Sequence, residues 1–175
     1  MIRPYEGSDF EGIKQVINSV AAIPPWPHYY PGGWSDAKIK QEFEPLAMHR
    51  DPLFLVSEED GKITGLVAGH DFVSFVDNEI SHLRQRFMGV NLMDVAAFYL
   101  RDIIVHATHQ RSIVASKLEK QLKAHALRNG YKRVVTRTPP LNTMGVRFFS
   151  GIGYEQLFED SNPERIYFVK ELIKK

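Results

Sequence analysis

The 175-residue chain contains no cysteine, so disulfides, iron–sulfur clusters, thiolate zinc sites and cysteine nucleophiles are excluded. It has no apolar run near the roughly 20 residues that a membrane helix needs. Its first residues show neither the basic nor the apolar region of a signal peptide. The net charge of +1 gives no reason to expect nucleic acid or an anionic membrane as a partner. We therefore expect a cytoplasmic protein, and the sequence leaves both a monomer and a homodimer open.

The remaining composition is typical of a globular protein, with 43% hydrophobic and 25% charged residues. A chain of this length can bury a core without covalent cross-links. It contains no internal repeat, low-complexity tract or linker-like stretch. We expect one domain over residues 1–175.

Hydrophobic periodicity and turn signals predict seven strands and four helices. The predicted strands cover residues 1–5, 53–58, 63–70, 96–105, 133–137, 154–158 and 166–169. The predicted helices begin at a capping box formed by Ser8 and Glu11, at the N-cap Ser35, at about Ile113 and at Asn142. The resulting order, β-α-α-β-β-β-α-β-α-β-β, favours an α/β fold whose sheet is part antiparallel and part parallel.

Two segments have less regular patterns. Residues 21–34 are rich in proline, glycine and aromatic side chains, which predicts a loop. This loop could form a lid over a bound molecule or could simply pack against the core. Residues 72–95 carry aromatic and charged side chains without a clear period, so we expect a loop there with one helical turn or more.

The stretch from Leu100 to Leu118 indicates a binding site. It is predicted to be a buried strand, a short polar turn and an amphipathic helix. The first turn of a helix has free backbone N–H groups, and the helix dipole favours negative charge there, so this junction can bind a phosphate or pyrophosphate. Arg111 adds a positive charge at its mouth. On local geometry alone, an ordinary strand-to-helix connection explains the pattern equally well.

Two motifs resemble those of the GNAT superfamily of N-acetyltransferases. In that family a strand of the type Leu-x-Asp/Glu-Leu-x-Val is followed by Gln/Arg-x-x-Gly-x-Gly/Ala. Here the strand from Leu100 to Val105, Gln110 and Ala115 match, whereas Ile113 replaces the first glycine. The second motif runs from Asn142 to Tyr154, where the matching residues are Asn142, Gly145, the pair Phe148-Phe149 and the pair Gly153-Tyr154. The resemblance extends from Ile2 to about Leu172.

The resemblance implies a GNAT-like mixed, partly antiparallel central sheet with splayed middle strands, flanked by helices. It also implies acetyl-CoA as acyl donor and an amine acceptor that attacks directly. The implied cofactor-binding residues are Ile103, Ile104 and Val105 along the pantetheine arm, Gln110, Arg111, Ser112, Ile113, Val114 and Ala115 at the pyrophosphate, and Asn142 and Phe149 nearby. Many members have a tyrosine in place of Phe149, and its hydroxyl can protonate the leaving thiolate.

The departures from the family pattern keep more than one function open. Either the Ile113 side chain turns inward to the core or the phosphate site is altered. Because Phe149 has no hydroxyl, the acid is another residue or water, or activity has been lost. The leading hypothesis is an N-acetyltransferase that acts on a primary amine of a small molecule or peptide. The alternatives are a non-catalytic acyl-CoA-binding sensor or regulatory module and an unrelated anion-binding α/β protein.

Asp102 is the candidate catalytic residue, as a general base or as a carboxylate that orients the amine. An acid within an aliphatic strand is costly unless it is paired or hydrated in a cleft. The alternative is a structural ion pair, for example with Arg101. The histidine pairs His106/His109 and His70/His82 lack a third ligand at a recognisable spacing, so we expect no metal site.

Overall fold

Seven strands form one mixed sheet in the computed structural model, which describes residues 1–29, 31–93, 96–110, 112–161 and 164–172. The strands are β1 (Ile2–Pro4), β2 (Leu53–Glu59), β3 (Lys62–Asp71), β4 (Ala97–Val105), β5 (Arg133–Thr138), β6 (Glu155–Ser161) and β7 (Glu164–Glu171). Their order in the sheet is β1-β2-β3-β4-β5-β7-β6. The β4–β5 pair is parallel and the other neighbours are antiparallel. The predicted mixed sheet is confirmed, with small shifts at the strand ends.

The helices lie on both faces of this sheet. They are α1 (Phe10–Ala21), α2 (Trp26–Tyr29), α3 (Asp36–Phe43), α4 (Phe72–Glu79), α5 (Arg84–Gly89), α6 (Val114–Arg128) and α7 (Thr143–Gly151). One face packs against α6 and α7 through side chains such as Leu118 and Phe149. The other packs against α1 and α3 through Ile13 and Ile39, and against α4 and α5 through Phe72 and other aromatic side chains. No helix within the described ranges combines the length and the apolar character needed to cross a membrane.

Three local signals are confirmed. The Ser35 hydroxyl accepts the Lys38 N–H (3.2 Å) and caps α3. Asp60 and Gly61 have φ angles of 51° and 73° and form the β2–β3 turn. Gly130, with a φ of 80°, follows α6 and is the left-handed residue at which such helices commonly end.

Three predictions differ from the structure. The capping box predicted from Ser8 and Glu11 is wrong, because a 3-10 turn over Gly7–Asp9 precedes α1, and Asp9, the residue before the helix, makes no side-chain hydrogen bond to it. The Asp9 carboxylate instead accepts the Glu6 N–H (2.9 Å) at the start of that turn and binds Arg3 (2.7 Å). Residues 72–95 are largely helical where described, and α2 interrupts the segment 21–34. The sequence of residues 72–95 shows no clear hydrophobic period because α4 and α5 are short and are separated by a 3-10 turn over Ser81–Leu83.

A bulge lies in the centre of the sheet. Ala68 pairs with Asp102 and the next residue, Gly69, pairs with Leu100, so Arg101 is an extra residue in β4. A Cβ atom at Gly69 would lie 2.4 Å from the Tyr99 carbonyl oxygen, which only glycine avoids. The bulge thus requires glycine at 69, and it changes the direction of β4 immediately before Asp102.

His70, at the end of β3, is fully buried and stacks on His49 with ring centroids 3.9 Å apart. Its Nδ1–H donates to the Asp71 carbonyl (2.9 Å). Burial, reinforced by the neighbouring His49, lowers the pKa of His70 to about 4. The unfolded chain therefore binds this proton more readily than the folded protein does at pH values between about 4 and 6.5.

We predict that this histidine makes the protein less stable as the pH falls below 6.5. Between pH 7 and pH 5 its contribution to the free energy of unfolding should fall by about 2 kcal/mol. Urea unfolding of the wild type and of His70→Gln at both pH values measures this, because the variant should lose that part of the pH dependence. The exposed His28→Gln variant is the control, and equal pH dependence in all three proteins would contradict the prediction.

Candidate active site

The two central strands separate part of the way along their length. Pairing between β4 and β5 runs from Ala97 with Arg133 to Leu100 with Thr136. There the Thr136 hydroxyl donates to the Leu100 carbonyl (3.0 Å). Beyond that point β4 continues to Val105 while paired only with β3 among the described strands. The result is an open backbone edge inside the sheet.

The alternation of main-chain hydrogen bonds along β4 shows which of its residues face this opening. The His106 N–H donates to the Thr64 carbonyl (2.9 Å). Because such pairs alternate along antiparallel strands, the main-chain groups of Ile104 and Asp102 point to β3. The N–H and C=O groups of Ile103 and Val105 therefore point into the opening. Of the three residues expected along a pantetheine arm, Ile104 can contribute only its side chain.

The opening forms part of a cleft with a volume of about 620 Å³. It brings together most of the predicted site residues: Asp102, Ile103, Ile104, Val105, Gln110, Ser112, Ala115, Asn142 and Phe149. Arg111 lies outside the described residues, so its predicted role stays a prediction. Ile113 and Val114 do not line the cleft.

The N-terminus of α6 presents main-chain donors to one end of the cleft. The first helical bond joins the Lys117 N–H to the Ile113 carbonyl (3.0 Å). The Val114 N–H is bonded to the Ser112 hydroxyl (3.3 Å). The N–H groups of Ala115 and Ser116 make no hydrogen bond to another described residue, and the helix dipole adds positive potential there. This end of the cleft is suited to a phosphate group.

The structure explains how isoleucine can replace the glycine of the motif. Ile113 precedes α6 with φ −75° and ψ 0°, a conformation that needs no glycine. Ile113 is 63% exposed and does not line the cleft, so the first of the two alternatives, a side chain that turns inward to the core, is excluded. Val114 instead packs beside the core residues of α6. These two residues can therefore contribute to the site only through their main chain.

Asn142 connects α7 to the end of β5. Its side-chain oxygen accepts the Gly145 N–H (3.2 Å), and its Nδ2 donates to the Thr138 hydroxyl (2.9 Å). A Cβ atom at Gly145 would lie 2.3 Å from that Nδ2, so a larger residue there would require the Asn142 side chain to shift. Phe149, one turn further on, is 4% exposed and packs against Tyr154 and Phe168.

Asp102 lines the cleft and also pairs with Arg101 at 3.0 Å, so the ion pair is observed and the catalytic role stays a prediction. Arg101 in turn contacts Glu42 of α3. The Asp102 side chain keeps 26% of its surface exposed. Burial raises the pKa of its carboxyl above the ordinary value, and Arg101 opposes that rise.

Several charged residues of the cleft were missed by sequence reasoning. Glu42, Glu79, Arg137, Arg147 and Arg165 all line it. Arg137 pairs with Glu79 at 3.3 Å, and burial raises the pKa of the Glu79 carboxyl. No local signal marks these residues, because each lies on a separate element and only the fold brings them together.

The other candidates are placed as follows. The aromatic residues Trp26 and Trp34 line the cleft, and Trp34 also packs near Phe43 with ring centroids 6.5 Å apart. The imidazoles of His106 and His109 share the Thr108 hydroxyl, at 2.9 Å each. No group of three or more metal-ligating side chains occurs among the residues that the structure describes.

We predict that Asn142→Ala lowers the free energy of unfolding by roughly 0.5–2 kcal/mol, because α7 loses its N-cap. Asn142→Asp is the matched control, since its carboxylate can still accept the Gly145 N–H. Chemical denaturation measures both variants. Equal losses in the two variants would contradict the assignment of this stability to the cap.

Solved structures of acetyltransferases share this fold. An N-acetyltransferase from Staphylococcus aureus Mu50 aligns with a TM-score of 0.73 and 17% identity, covering 99% of this chain and 98% of that one. YncA, a putative acetyltransferase from Salmonella typhimurium solved with its cofactor acetyl-CoA, aligns with a TM-score of 0.69 and 17% identity over 100% and 95%. PaiA N-acetyltransferase from Thermoplasma acidophilum, solved with coenzyme A, gives 0.67 and 14% over 98% of both chains.

No curated protein is significantly similar to the chain in sequence. A family model does match it: residues 21–154 fit the acetyltransferase (GNAT) family. That match covers most of the chain, including the separated strands, the N-terminus of α6 and the Asn142 cap. The protein therefore belongs to the GNAT family of acetyltransferases.

Proposed function

We propose that the protein is a cytoplasmic N-acetyltransferase that moves the acetyl group of acetyl-CoA to a primary amine of a small molecule or peptide. One observation carries this proposal. The open edge at Ile103 and Val105, the free donors at the start of α6 and the Asp102 carboxylate all line one cleft. The acetyl-CoA and coenzyme A in two structural neighbours support the same donor.

The cleft fits the two chemically different parts of acetyl-CoA. The amide groups of the pantetheine arm can pair with the main chain of Ile103 and Val105, as an added strand would. The negatively charged pyrophosphate suits the Ala115 and Ser116 N–H groups at the start of α6. The Ser112 hydroxyl, which accepts the Val114 N–H, belongs to a residue that lines the same cleft. Acetyl-CoA is thus expected to bind mainly through the protein backbone.

The reaction then needs positioning and two proton transfers. The amine nitrogen attacks the thioester carbonyl carbon, a C–N bond forms, and the carbonyl oxygen becomes an oxyanion. A main-chain N–H on the open edge of β4 can donate to that oxyanion. The intermediate collapses as the C–S bond breaks, which releases coenzyme A as a thiolate.

We propose that Asp102 accepts the proton that the amine loses. Because burial raises the pKa of this carboxyl, it is a stronger base than an exposed aspartate. The thiolate must gain a proton in turn. Phe149 cannot supply one, and water in the open cleft is the donor that we propose.

The absence of a hydroxyl at Phe149 also favours a second candidate, a non-catalytic acyl-CoA-binding module. A thermal-shift titration with acetyl-CoA and a thiol-release assay with a panel of amines separate the two. Binding at 100 times the dissociation constant stabilises a protein by about 2.7 kcal/mol. Binding with thiol release supports the enzyme, binding without release supports the sensor, and no binding contradicts both.

We predict that Ala115→Asp weakens acetyl-CoA binding by at least tenfold, because it puts a carboxylate where the pyrophosphate is expected. The fold should be kept, since an acid in the first turn of a helix interacts favourably with its dipole. Isothermal titration of the folded variant measures the affinity. Lys120→Asp, on an exposed face of α6 outside the cleft, is the control. Unchanged affinity in Ala115→Asp would remove the phosphate site from the proposal.

We predict that Asp102→Asn lowers kcat by roughly 10²- to 10⁴-fold and leaves acetyl-CoA binding intact. The pH–rate profile should also lose its acidic limb, because activity requires this carboxyl to be deprotonated. Asp102→Glu keeps a base and should recover part of the rate. A drop in stability with an unchanged pH profile would instead assign Asp102 a structural role as the partner of Arg101.

A further inference from the structure

The part of the cleft beside α3 and α4 is lined by three carboxylates and three guanidinium groups. We call this part the charged pocket, and its residues are Glu42, Glu79, Arg101, Asp102, Arg137 and Arg165. The pocket is on the sheet face opposite α6. Charged groups are costly to bury unless they are paired, so their pairing indicates what the pocket can bind.

Two of the three arginines already have carboxylate partners. Arg101 pairs with Asp102 and Glu42, and Arg137 pairs with Glu79. The guanidinium of Arg137 also lies 4.8 Å from the centroid of the Phe75 ring, which fixes its position. These two cations are therefore neutralised within the protein.

Arg165 differs, because it forms no ion pair with a carboxylate in the described part of the chain. Its guanidinium donates to the Glu164 carbonyl (2.7 Å) and lies 5.5 Å from the centroid of the Tyr29 ring. Its cross-strand neighbour Asp160 contacts His82 instead, at 3.4 Å. Arg165 thus presents an unneutralised cation to the cleft.

The strand register places Arg165 on the same sheet face as Arg137, just beyond the end of β5. Arg137 pairs with Tyr167 near the end of β5 where β4 and β5 separate. Arg165 lies two residues before Tyr167 on β7, so its side chain is on the same face of the sheet as that of Arg137. Asp102 borders the same opening from β4.

The charge balance then favours one class of acceptor. The six groups carry three positive and three negative charges when all are ionised, and Lys38, which pairs with Glu42 at 2.6 Å, adds one more positive charge. An amine that arrives as an ammonium would therefore make this region more positive and leave Arg165 unpaired. An acceptor that also carries a carboxylate adds no net charge and supplies the missing partner. A guanidinium binds a carboxylate through two parallel hydrogen bonds, which makes the recognition specific.

We propose that the acceptor is an amine that bears a carboxylate, such as a free amino acid, and that Arg165 binds this carboxylate. The inference rests on the proposed acetyltransferase function and narrows its substrate class. This proposal disfavours the N-terminal amine of a peptide as the acceptor, because the carbonyl next to that amine carries no charge.

The test compares amines that differ only in the carboxylate. Thiol release from acetyl-CoA is measured with each common amino acid, with its amide and with the corresponding decarboxylated amine. We expect the best amino acid to exceed its amide in kcat/KM by roughly 10- to 100-fold, the usual effect of one charge-assisted bidentate contact.

Variants of Arg165 show whether this residue is responsible. Arg165→Gln should reduce kcat/KM for the amino acid by a similar factor, mainly through KM, and should leave the amide unchanged. Arg165→Lys keeps the charge without the planar fork and should recover part of the loss. Arg128→Gln, at the exposed end of α6 outside the cleft, is the control.

The outcomes separate this inference from the function on which it rests. If amides and simple amines react as well as amino acids, or if Arg165→Gln affects all acceptors equally, the carboxylate site is wrong and the acetyltransferase stands. If no amine reacts, the proposed function fails. Thermal shifts in the presence of coenzyme A then test the carboxylate site separately. Stabilisation by amino acids but not by their amides would support the carboxylate site, and its absence would overturn it.

Discussion

The separation of β4 from β5 after Leu100 is the constraint on which the candidate site depends. Each strand keeps a partner on its other side, β3 for β4 and β7 for β5, so the sheet stays intact around the opening. The cost is a set of backbone N–H and C=O groups without strand partners, which must bond to water or to a ligand. A ligand with amide groups in an extended chain meets this need.

The opening also explains why the chemistry is shared between two faces of the sheet. The donors at the start of α6 are on one face, and the charged pocket is on the other. A bound thioester would pass through the gap between the strands, so its acyl group could meet an acceptor held on the far side. The bulge at Arg101 contributes by changing the direction of β4 immediately before Asp102.

Much of the fold could be predicted from the sequence because its signals are local. Ser35 and Asn142 accept hydrogen bonds from residues three positions ahead, and Asp60-Gly61 is a complete turn by itself. The helices of residues 72–95 could not be predicted in this way. Their aromatic side chains pack against β4 and β7, which are distant in sequence, so no repeating period appears within the segment.

The residues of the candidate site also divide into those that local sequence signals could locate and those that they could not. The donors of the phosphate end and Asp102 come from one continuous stretch, and a motif could therefore locate them. Glu79, Arg137 and Arg165 come from three separate elements, and nothing near them in sequence indicates that they share a pocket. Ile113 shows a further limit, since a motif specifies a residue type while the backbone there needs only an ordinary helical conformation.

The strand order has a consequence for how the chain is made. β7 follows β6 in the sequence but lies between β5 and β6 in the sheet. During translation β5 therefore keeps an unpaired edge until residues 164–172 have left the ribosome, and a bare strand edge readily pairs with another chain. The nascent chain thus carries a bare edge inside its sheet until β7 is available to cover it.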